Sequence, residues 1–463
     1  MKETEENLEQ KRRVEDLQRN RKEQGITLIA LVVTIVVLLI LAGITINMLF
    51  SNGGIFKTAQ DAANAWNQAV INEQADLDNL TEQIRNLVNG QIGGESETPE
   101  DPEDPWIPPT TIEEAIEQNE IFEETKQIKD NYDNIITIPK GFKITNEGKT
   151  IPEGIVVEDK NGNQFVWIAV GIVHRDNNPE NDVTIELGRY TFNRASGIPN
   201  SVQLAYNGET PNYVNEIGTN KDLIDTYCTE LSIYRKGVAS GGTDGLNATA
   251  KNLVGFIESV RKNGGYYLAR YEASYGEGYN SEAITDVEKY ANAKPLSIVS
   301  TGTPRGRGQG STPLKQGTLW NYVTQLNASK ICRNMYENDN TVGVESDLTN
   351  SYAYDTAIVF IEKMDASKSN YANANCDTTG NTSLMNTGMT GDKACNIYDM
   401  AANIMEWTTE YSTYIHNNTY ACPCTSRGGK FDANGHYTSM RYYTLFATYT
   451  DYFIGFRPIL YIK

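Results

Sequence analysis

Hydrophobic positions divide this chain into segments of different period. From Ile26 to Phe50 nearly every position is apolar or small, and no charged residue occurs between Gly25 and Lys57. At ~1.5 Å of rise per residue, a helix of that run is long enough to cross a hydrocarbon layer of ~30 Å. After a break at Gly53-Gly54, Ile55, Ala59, Ala62, Trp66, Val70, Leu77, Leu80, Ile84 and Leu87 recur mostly at three- and four-residue steps. That spacing predicts an amphipathic helix ending near Asn89-Gly90, either the outer half of one long first helix or a coiled-coil stalk. Residues 91–130 interrupt the pattern. The stretch from Gly93 to Pro105 is acidic and Pro-rich, and self-repulsion with ring stiffness makes it an extended linker.

From residue 131 to 463 the pattern becomes that of a globular domain, long enough for one large core or two small ones. Residues 134–139 and 154–158 read as strands. Asp159-Lys160-Asn161-Gly162 then turns the chain into a further strand at 164–170, so this end is a predicted hairpin. Helices are expected at 250–262, closed by Asn263-Gly264-Gly265, and at 318–336, with Trp320, Val323, Leu326 and Met335 on one side. Another is expected at 350–364, where Ala357, Ile358, Ile361 and Met364 fall at helical steps. Few helices, short strands and many Gly, Asn and Ser loops indicate an α+β head with much irregular structure.

Charge adds orientation. Arg19, Arg21 and Lys22 abut one end of the apolar run, while Ser51-Asn52-Gly53-Gly54 at the other carries no charge. The positive-inside rule therefore puts residues 1–25 in the cytoplasm and the remainder outside, in a single-pass membrane protein. The first 25 residues hold seven basic and seven acidic side chains, so the exported part carries the whole net charge of −20. Such a surface repels phosphate backbones and anionic lipid, which excludes nucleic acid as a partner and leaves the helix as the membrane link. Six cysteines in an exported chain fit either disulfides or free thiols. Cys422-Pro-Cys424 is not a Cys-x-x-Cys redox motif. His174, His416 and His436 are too scattered to support a zinc site. The Gly-rich run 301–310 lacks the Gly-Lys-Ser/Thr of a phosphate-binding loop and reads as a mobile surface loop.

The junction Gly25-Ile26, between a charged leader and Thr27-Leu28-Ile29-Ala30, resembles a type IV prepilin cleavage site. That resemblance implies cutting after Gly25 by a prepilin peptidase and methylation of Ile26. It also implies contact with pilus or pseudopilus subunits, although Ile26 and Ala30 stand where the family usually carries Phe and Glu. The domains are then a leader at 1–25, a pilin-like transmembrane and amphipathic helix at 26–90, a linker at 91–130 and a head at 131–463.

A second resemblance lies near the C-terminus. Asn396-Ile-Tyr-Asp-Met-Ala-Ala-Asn-Ile-Met-Glu-Trp-Thr408, Arg427-Gly428-Gly429 and Gly455-Phe456-Arg457-Pro458 resemble, in that order, segments of formylglycine-generating-enzyme-like domains. Tyr266-Tyr-Leu-Ala-Arg-Tyr271 is similar to an early strand of the same family. The resemblance implies a C-type-lectin fold, with Asn396, Asp399, Asn403, Trp407, Arg427, Gly428, Gly429, Gly455, Phe456 and Arg457 as scaffold. It further implies calcium at Glu406 with carbonyls near Ala402 and Ile404, the alternative being Glu406 as a buried hydrogen-bond acceptor. Enzymes of this family carry a copper-binding cysteine pair after the Arg-Gly-Gly segment, and here no cysteine lies between Gly429 and Lys463. No catalytic residue is therefore expected.

Between the scaffold blocks, residues 430–453 hold five Tyr and three Phe. Tyr beside small polar residues is the composition of binding loops, in which rigid contact area sits next to adaptable hydrogen bonding. Phe431, Asp432, Asn434, His436, Tyr437, Tyr442, Tyr443, Phe446, Tyr449, Asp451, Tyr452 and Phe453 are the expected ligand-binding residues; the bland alternative is that some of the rings fill a core. In related lectin-fold proteins this interval is the one diversified by retroelements acting at adenines. The expected function is recognition of an extracellular glycan or protein at the cell surface or on a pilus-like structure. The alternatives are a minor pseudopilin and a divergent formylglycine-generating-type oxidase.

Overall fold

The hairpin expected at 154–170 forms two adjacent strands of a six-stranded antiparallel sheet. In chain order, the elements that carry the fold are α1 (Ile112–Gln118), β1 (Phe142–Ile144), β2 (Val156–Asp159), β3 (Gln164–Ala169), α2 (Leu253–Asn263), β4 (Gly265–Ala269), α3 (Gln325–Asn334), β5 (Val344–Leu348), α4 (Ser351–Met364), β6 (Met405–Ser412), β7 (Cys424–Arg427), β8 (Arg441–Leu445), β9 (Ile454–Phe456) and β10 (Pro458–Ile462). This computed structural model describes residues 110–208, 210–211, 228–229, 253–283, 286–412, 414–417 and 420–463. Gly25, Ile26, the helices expected at 26–90 and the first part of the linker lie outside these residues. Among the described residues no helix is long and apolar enough to cross a membrane.

The first sheet has the order β5-β10-β4-β3-β2-β1, so the last strand of the chain lies in its interior. The β2–β3 turn closes because Asp159 Oδ1 accepts from Asn161 N and Asn163 N, both at 2.8 Å, while Gly162 takes φ +82°. Trp167 opposes Tyr267 across β3 and β4 with ring centroids 5.0 Å apart. Phe256 of α2 meets Tyr266 at 5.3 Å and Tyr461 at 5.9 Å, so α2 seals this part of the core. A second sheet runs β8-β7-β6, with β9 beside β6 in parallel. Its core gathers Trp320, Trp407, Phe456, Leu445 and Ala447. The fold is mixed α and β with more strand than helix.

Two expected boundaries change. Within 91–130, Thr111 and Glu114 form a capping box that starts α1, and Ile112 and Ala115 are buried in the head's core. Lys126–Lys129 pairs with Ile135–Ile138. The head therefore begins by residue 110 rather than 131. Of the helix expected at 318–336, only α3 forms. Thr324 Oγ1 accepts from Asn327 N at 3.3 Å as its N-cap, and Tyr322 just before it takes φ +54°. Trp320 and Val323 are buried from irregular chain instead, since tertiary packing needs their apolar area but not a helix to carry it.

Candidate functional site

Within the Tyr-rich interval, Arg441–Leu445 forms β8, the outermost strand of the second sheet among the described residues. Strand β8 pairs only inward along the sheet path, with Ser426 opposite Tyr442 and Arg427 opposite Arg441. Thr438, Leu445 and Ala447 turn inward and are buried. The remaining aromatic residues of the interval are half-buried, and Asp432 and Asn434 are exposed. Each ring thus has one side seated and one side available. Tyr442, Tyr449 and Phe453 rest on the second core.

The rings hold one another in place. Phe431 meets Tyr452 at 5.9 Å and Tyr452 meets Phe453 at 5.2 Å. Lys430 Nζ lies 4.4 Å over the Phe453 ring and pairs with Asp432 at 2.7 Å. The Tyr449 hydroxyl donates to Asp451 Oδ2 at 3.0 Å, and burial together with that carboxylate raises its pKa. His436 packs 5.5 Å from Tyr442, and among the described residues its Nδ1 has no hydrogen-bond partner. Burial, then the Lys430 ammonium, lowers the pKa of this imidazole, with Asp432 opposing.

Beneath β8 lies a charge network from segments far apart in sequence. Glu410 accepts from Arg189 at 3.1 Å, from Arg427 at 3.2 Å and from Arg441 at 2.7 Å. Asp355 of α4 accepts from Arg427 and Arg441. Arg189, Arg427, Asp355 and Glu410 are fully buried, and the Arg441 side chain is 6% exposed. Burial alone would raise the Glu410 carboxyl, but Arg441, Arg427 and Arg189 outweigh it and hold it well below the ordinary range. Gly428 and Gly429 let the chain pass this point. A Cβ on Gly429 would sit 2.0 Å from the Ala401 carbonyl oxygen, and Gly428 has φ +87°.

The segment from Asn396 to Trp407 also works as framework. Asn396, Asp399 and Asn403 have φ of 63°, 67° and 58°, left-handed values that Asn and Asp tolerate. Asn396 Nδ2 donates to the carbonyls of Gly154 at 2.7 Å, Glu147 at 3.0 Å and Glu153 at 3.1 Å, tying this segment to the first sheet. Asp399 accepts from Thr387 Oγ1 at 2.7 Å. Asn403 donates to Glu272 at 2.6 Å, and its carbonyl accepts from Phe431 N at 3.0 Å, which fastens the start of the aromatic interval. Trp407 Nε1 donates to the Val323 carbonyl at 2.7 Å, and Phe456 packs on Trp320 at 5.7 Å. A Cβ on Gly455 would meet Ile404 Cδ1 at 2.5 Å.

The carboxylate that the family resemblance offers to calcium is held by Arg457. Its Oε1 accepts from Arg457 Nη2 at 2.6 Å and Nε at 3.0 Å, while Oε2 has no hydrogen-bond partner among the described residues. Glu406 is buried, and burial lifts its carboxyl against the pull of Arg457. The Arg457 guanidinium is the cation that Glu406 meets among the described residues. Arg457 thus takes up one oxygen of Glu406 and leaves the other unpaired among the described residues.

Several contributors escaped sequence reasoning. Arg189, Asp355 and Glu410 are distant in sequence, and only the fold brings them together. Arg194 lies 4.6 Å over the Tyr437 ring, and Tyr414 meets Tyr443 at 5.5 Å, so two residues outside 430–453 extend the face. The Gly-rich run is fastened rather than loose. Arg305, 5% exposed, donates to Asn321 Oδ1 at 3.2 Å and to the Gly310 carbonyl at 3.2 Å. Asn321 in turn donates to the Tyr452 carbonyl at 2.8 Å, which gives this loop a role in supporting the face. Cys332, Cys376 and Cys395 are buried free thiols. Cavities of about 640 and 550 Å³ are lined by segments other than 430–453.

No family model matches the chain, and no curated protein matches it. Among solved structures it is similar to CarF at 12% identity and a TM-score of 0.29, over 51% of this chain and 98% of that one. It is also similar to the P3c variant of the Major Tropism Determinant, at 12% identity and a TM-score of 0.24, and to the I1 variant, at 13% and 0.24. Both cover 76% of this chain and 98% of their own. Likenesses of this size carry no functional inference, and what the site does rests on its own geometry.

Proposed function

We propose that this chain is a cell-surface protein, held in the membrane by a pilin-like helix at 26–50, whose head recognises an extracellular glycan or protein without catalysis. One observation carries the reading. Half-buried Tyr, Phe and His side chains cluster on the edge strand β8 and on the loops that flank it, over a buried ion network of Arg189, Arg427, Arg441, Asp355 and Glu410. Rigid rings with one free side supply contact area at low entropic cost, because little rotamer freedom is lost on binding. A fixed frame beneath a chemically varied surface also suits a segment whose residues change while the fold does not. The chain carries no cysteine after Gly429 to support an oxidase.

Full-length protein in detergent micelles, probed against glycan and extracellular-protein arrays, tests this. Specific signals should fall at least about tenfold, on the order of 1.4 kcal/mol, when Tyr437, Tyr443, Tyr449 and Tyr452 are all changed to Ala. The head should remain folded, with a melting temperature lowered by the loss of Tyr449 from the second core. Signals that survive the quadruple change, or the absence of any signal from the unchanged protein, refute the reading.

A further inference from the structure

Next to the aromatic face the chain after α4 builds a separate cavity of about 340 Å³, lined by residues of 367–379 with Gly391 and Asp392. Its shape follows from short capped turns. Asp365 accepts from Ser367 N at 2.9 Å and Oγ at 2.7 Å and so starts the turn Ala366–Lys368. Asn375 caps Cys376–Thr379 by accepting from Asp377 N at 3.0 Å and Thr378 N at 3.2 Å. Such turns leave hydroxyl and amide groups along one wall. The same wall is joined to the aromatic interval. Thr438 N donates to the Ala374 carbonyl at 2.9 Å, Ser439 N to that of Ala372 at 3.0 Å, and Asn375 Nδ2 to that of Asn434 at 2.7 Å.

Two polar groups of this cavity are available to a ligand. Asn373, 8% exposed, uses its Nδ2 on the Asn193 carbonyl at 2.9 Å and on Asn370 Oδ1 at 2.7 Å, but its Oδ1 has no partner among the described residues. An unpaired buried carbonyl is unfavourable, so a donor supplied by a ligand would be favoured there. Lys368 Nζ lies 5.8 Å over the Tyr371 ring and makes no ion pair among the described residues. Asp392, by contrast, is satisfied: both oxygens accept from the Tyr371 hydroxyl at 3.0 Å, and one accepts from Ala401 N at 2.8 Å. The cavity therefore offers the ammonium of Lys368, which already acts through space on Asp392, and an unmet acceptor at Asn373 Oδ1. A dianion such as phosphate suits the site poorly, since one ammonium would face it beside the buried Asp392. The volume is at the small end of the ~300–1,000 Å³ usual for ligand pockets, enough for one ring.

We propose that this cavity is a second binding site that takes a hydroxylated monocarboxylate of sugar size, a uronic-acid unit. Its carboxylate pairs with Lys368, and a ring hydroxyl donates to Asn373 Oδ1. The site uses none of the rings of 430–453 and stands apart from recognition through them.

The test uses full-length protein in micelles, titrated with methyl glucuronide, with methyl glucoside as the neutral match, and with a short oligouronide. Binding is read by saturation-transfer NMR. Methyl glucuronide should bind, and the glucoside at least about tenfold more weakly, on the order of 1.4 kcal/mol. Lys368→Gln and the cavity-filling Ser369→Trp should each abolish glucuronide binding while leaving the melting temperature of the ligand-free protein in place. Tighter binding of the oligouronide assigns the site to a polysaccharide chain, and equal binding assigns it to a free sugar acid. Equal binding of glucuronide and glucoside, binding that survives both substitutions, or no binding at all overturns the proposal. The quadruple Tyr→Ala protein should bind glucuronide normally, so failure here is distinguishable from failure of the aromatic face.

Discussion

Replacing Glu410 by Gln would remove one of the two carboxylates that serve three guanidiniums beneath β8. In the native network Arg189, Arg427 and Arg441 face Glu410 and Asp355, a residual charge of one. The substitution keeps the shape but raises that excess charge to two, in a place from which water is excluded. Breaking one partner out of a buried ion pair costs about 3–5 kcal/mol, because the loss is dominated by the charge left behind. For a domain of this size roughly 2 °C is lost per kcal/mol, so the melting temperature should fall by about 6–10 °C. The acid limb of the stability curve carries a second signature. The Glu410 pKa is lowered in the folded state, so its stabilisation is present above the unfolded value, about 4.3, and is lost as pH falls through the folded value. Glu410→Gln should therefore cost most at neutral pH and progressively less in acid. Chemical denaturation of the wild-type and Glu410→Gln proteins, each at pH 7 and at pH 3, measures both effects. A loss below about 1 kcal/mol at pH 7, or a loss that does not shrink in acid, would refute the view that this network holds β8.

Gly429→Ala would place a Cβ 2.0 Å from the Ala401 carbonyl oxygen, a backbone atom with no freedom to yield. The expected loss exceeds about 3 kcal/mol, seen as a large drop in melting temperature or as failure to accumulate folded protein; a near-native melting curve would contradict the close approach. Deep sequencing of codons 430–453 across one cultured population should find substitutions at the half-buried Tyr437, Tyr442, Tyr443, Tyr449 and Tyr452, and constancy at the buried Thr438, Leu445 and Ala447. A uniform sequence, or changes as frequent at Leu445 and Ala447 as at the Tyr codons, would count against a diversified face.

Local signals were legible where they were strong. The hairpin at 154–170 could be read because Asp159-Lys-Asn-Gly162 separates two apolar runs, and the helix at 350–364 because Ala357, Ile358, Ile361 and Met364 fall at helical steps; Asn350, read as its first residue, caps it by accepting from Ala353 N at 2.9 Å. The start of the head was obscured by the acidic composition around α1, although Thr111-x-x-Glu114 is a capping-box signal that could have marked it. At 318–324 the apolar spacing of Trp320 and Val323 imitates a helix, since burial in a core requires apolar residues whatever backbone carries them. The aromatic face was legible as composition. Its support was not, because Arg189, Asp355, Glu410 and Arg305 meet their partners only through the tertiary fold. No local pattern records such pairings.

The two ends of the aromatic interval have a consequence for its length. Arg427 and Gly455 both lie opposite Glu406, one on each side of β6. The chain that leaves after Arg427 therefore returns only two strand spacings away, roughly 10 Å. Closure is imposed by β6, and the entropy of a longer excursion grows only with the logarithm of its length, about 0.6 kcal/mol per doubling. The excursion between Gly429 and Gly455 is in effect a socket with fixed terminals. Segments of other lengths can be grafted into it without re-registering either sheet, provided that they keep an inward Leu or Ala and an Arg at the position of Arg441.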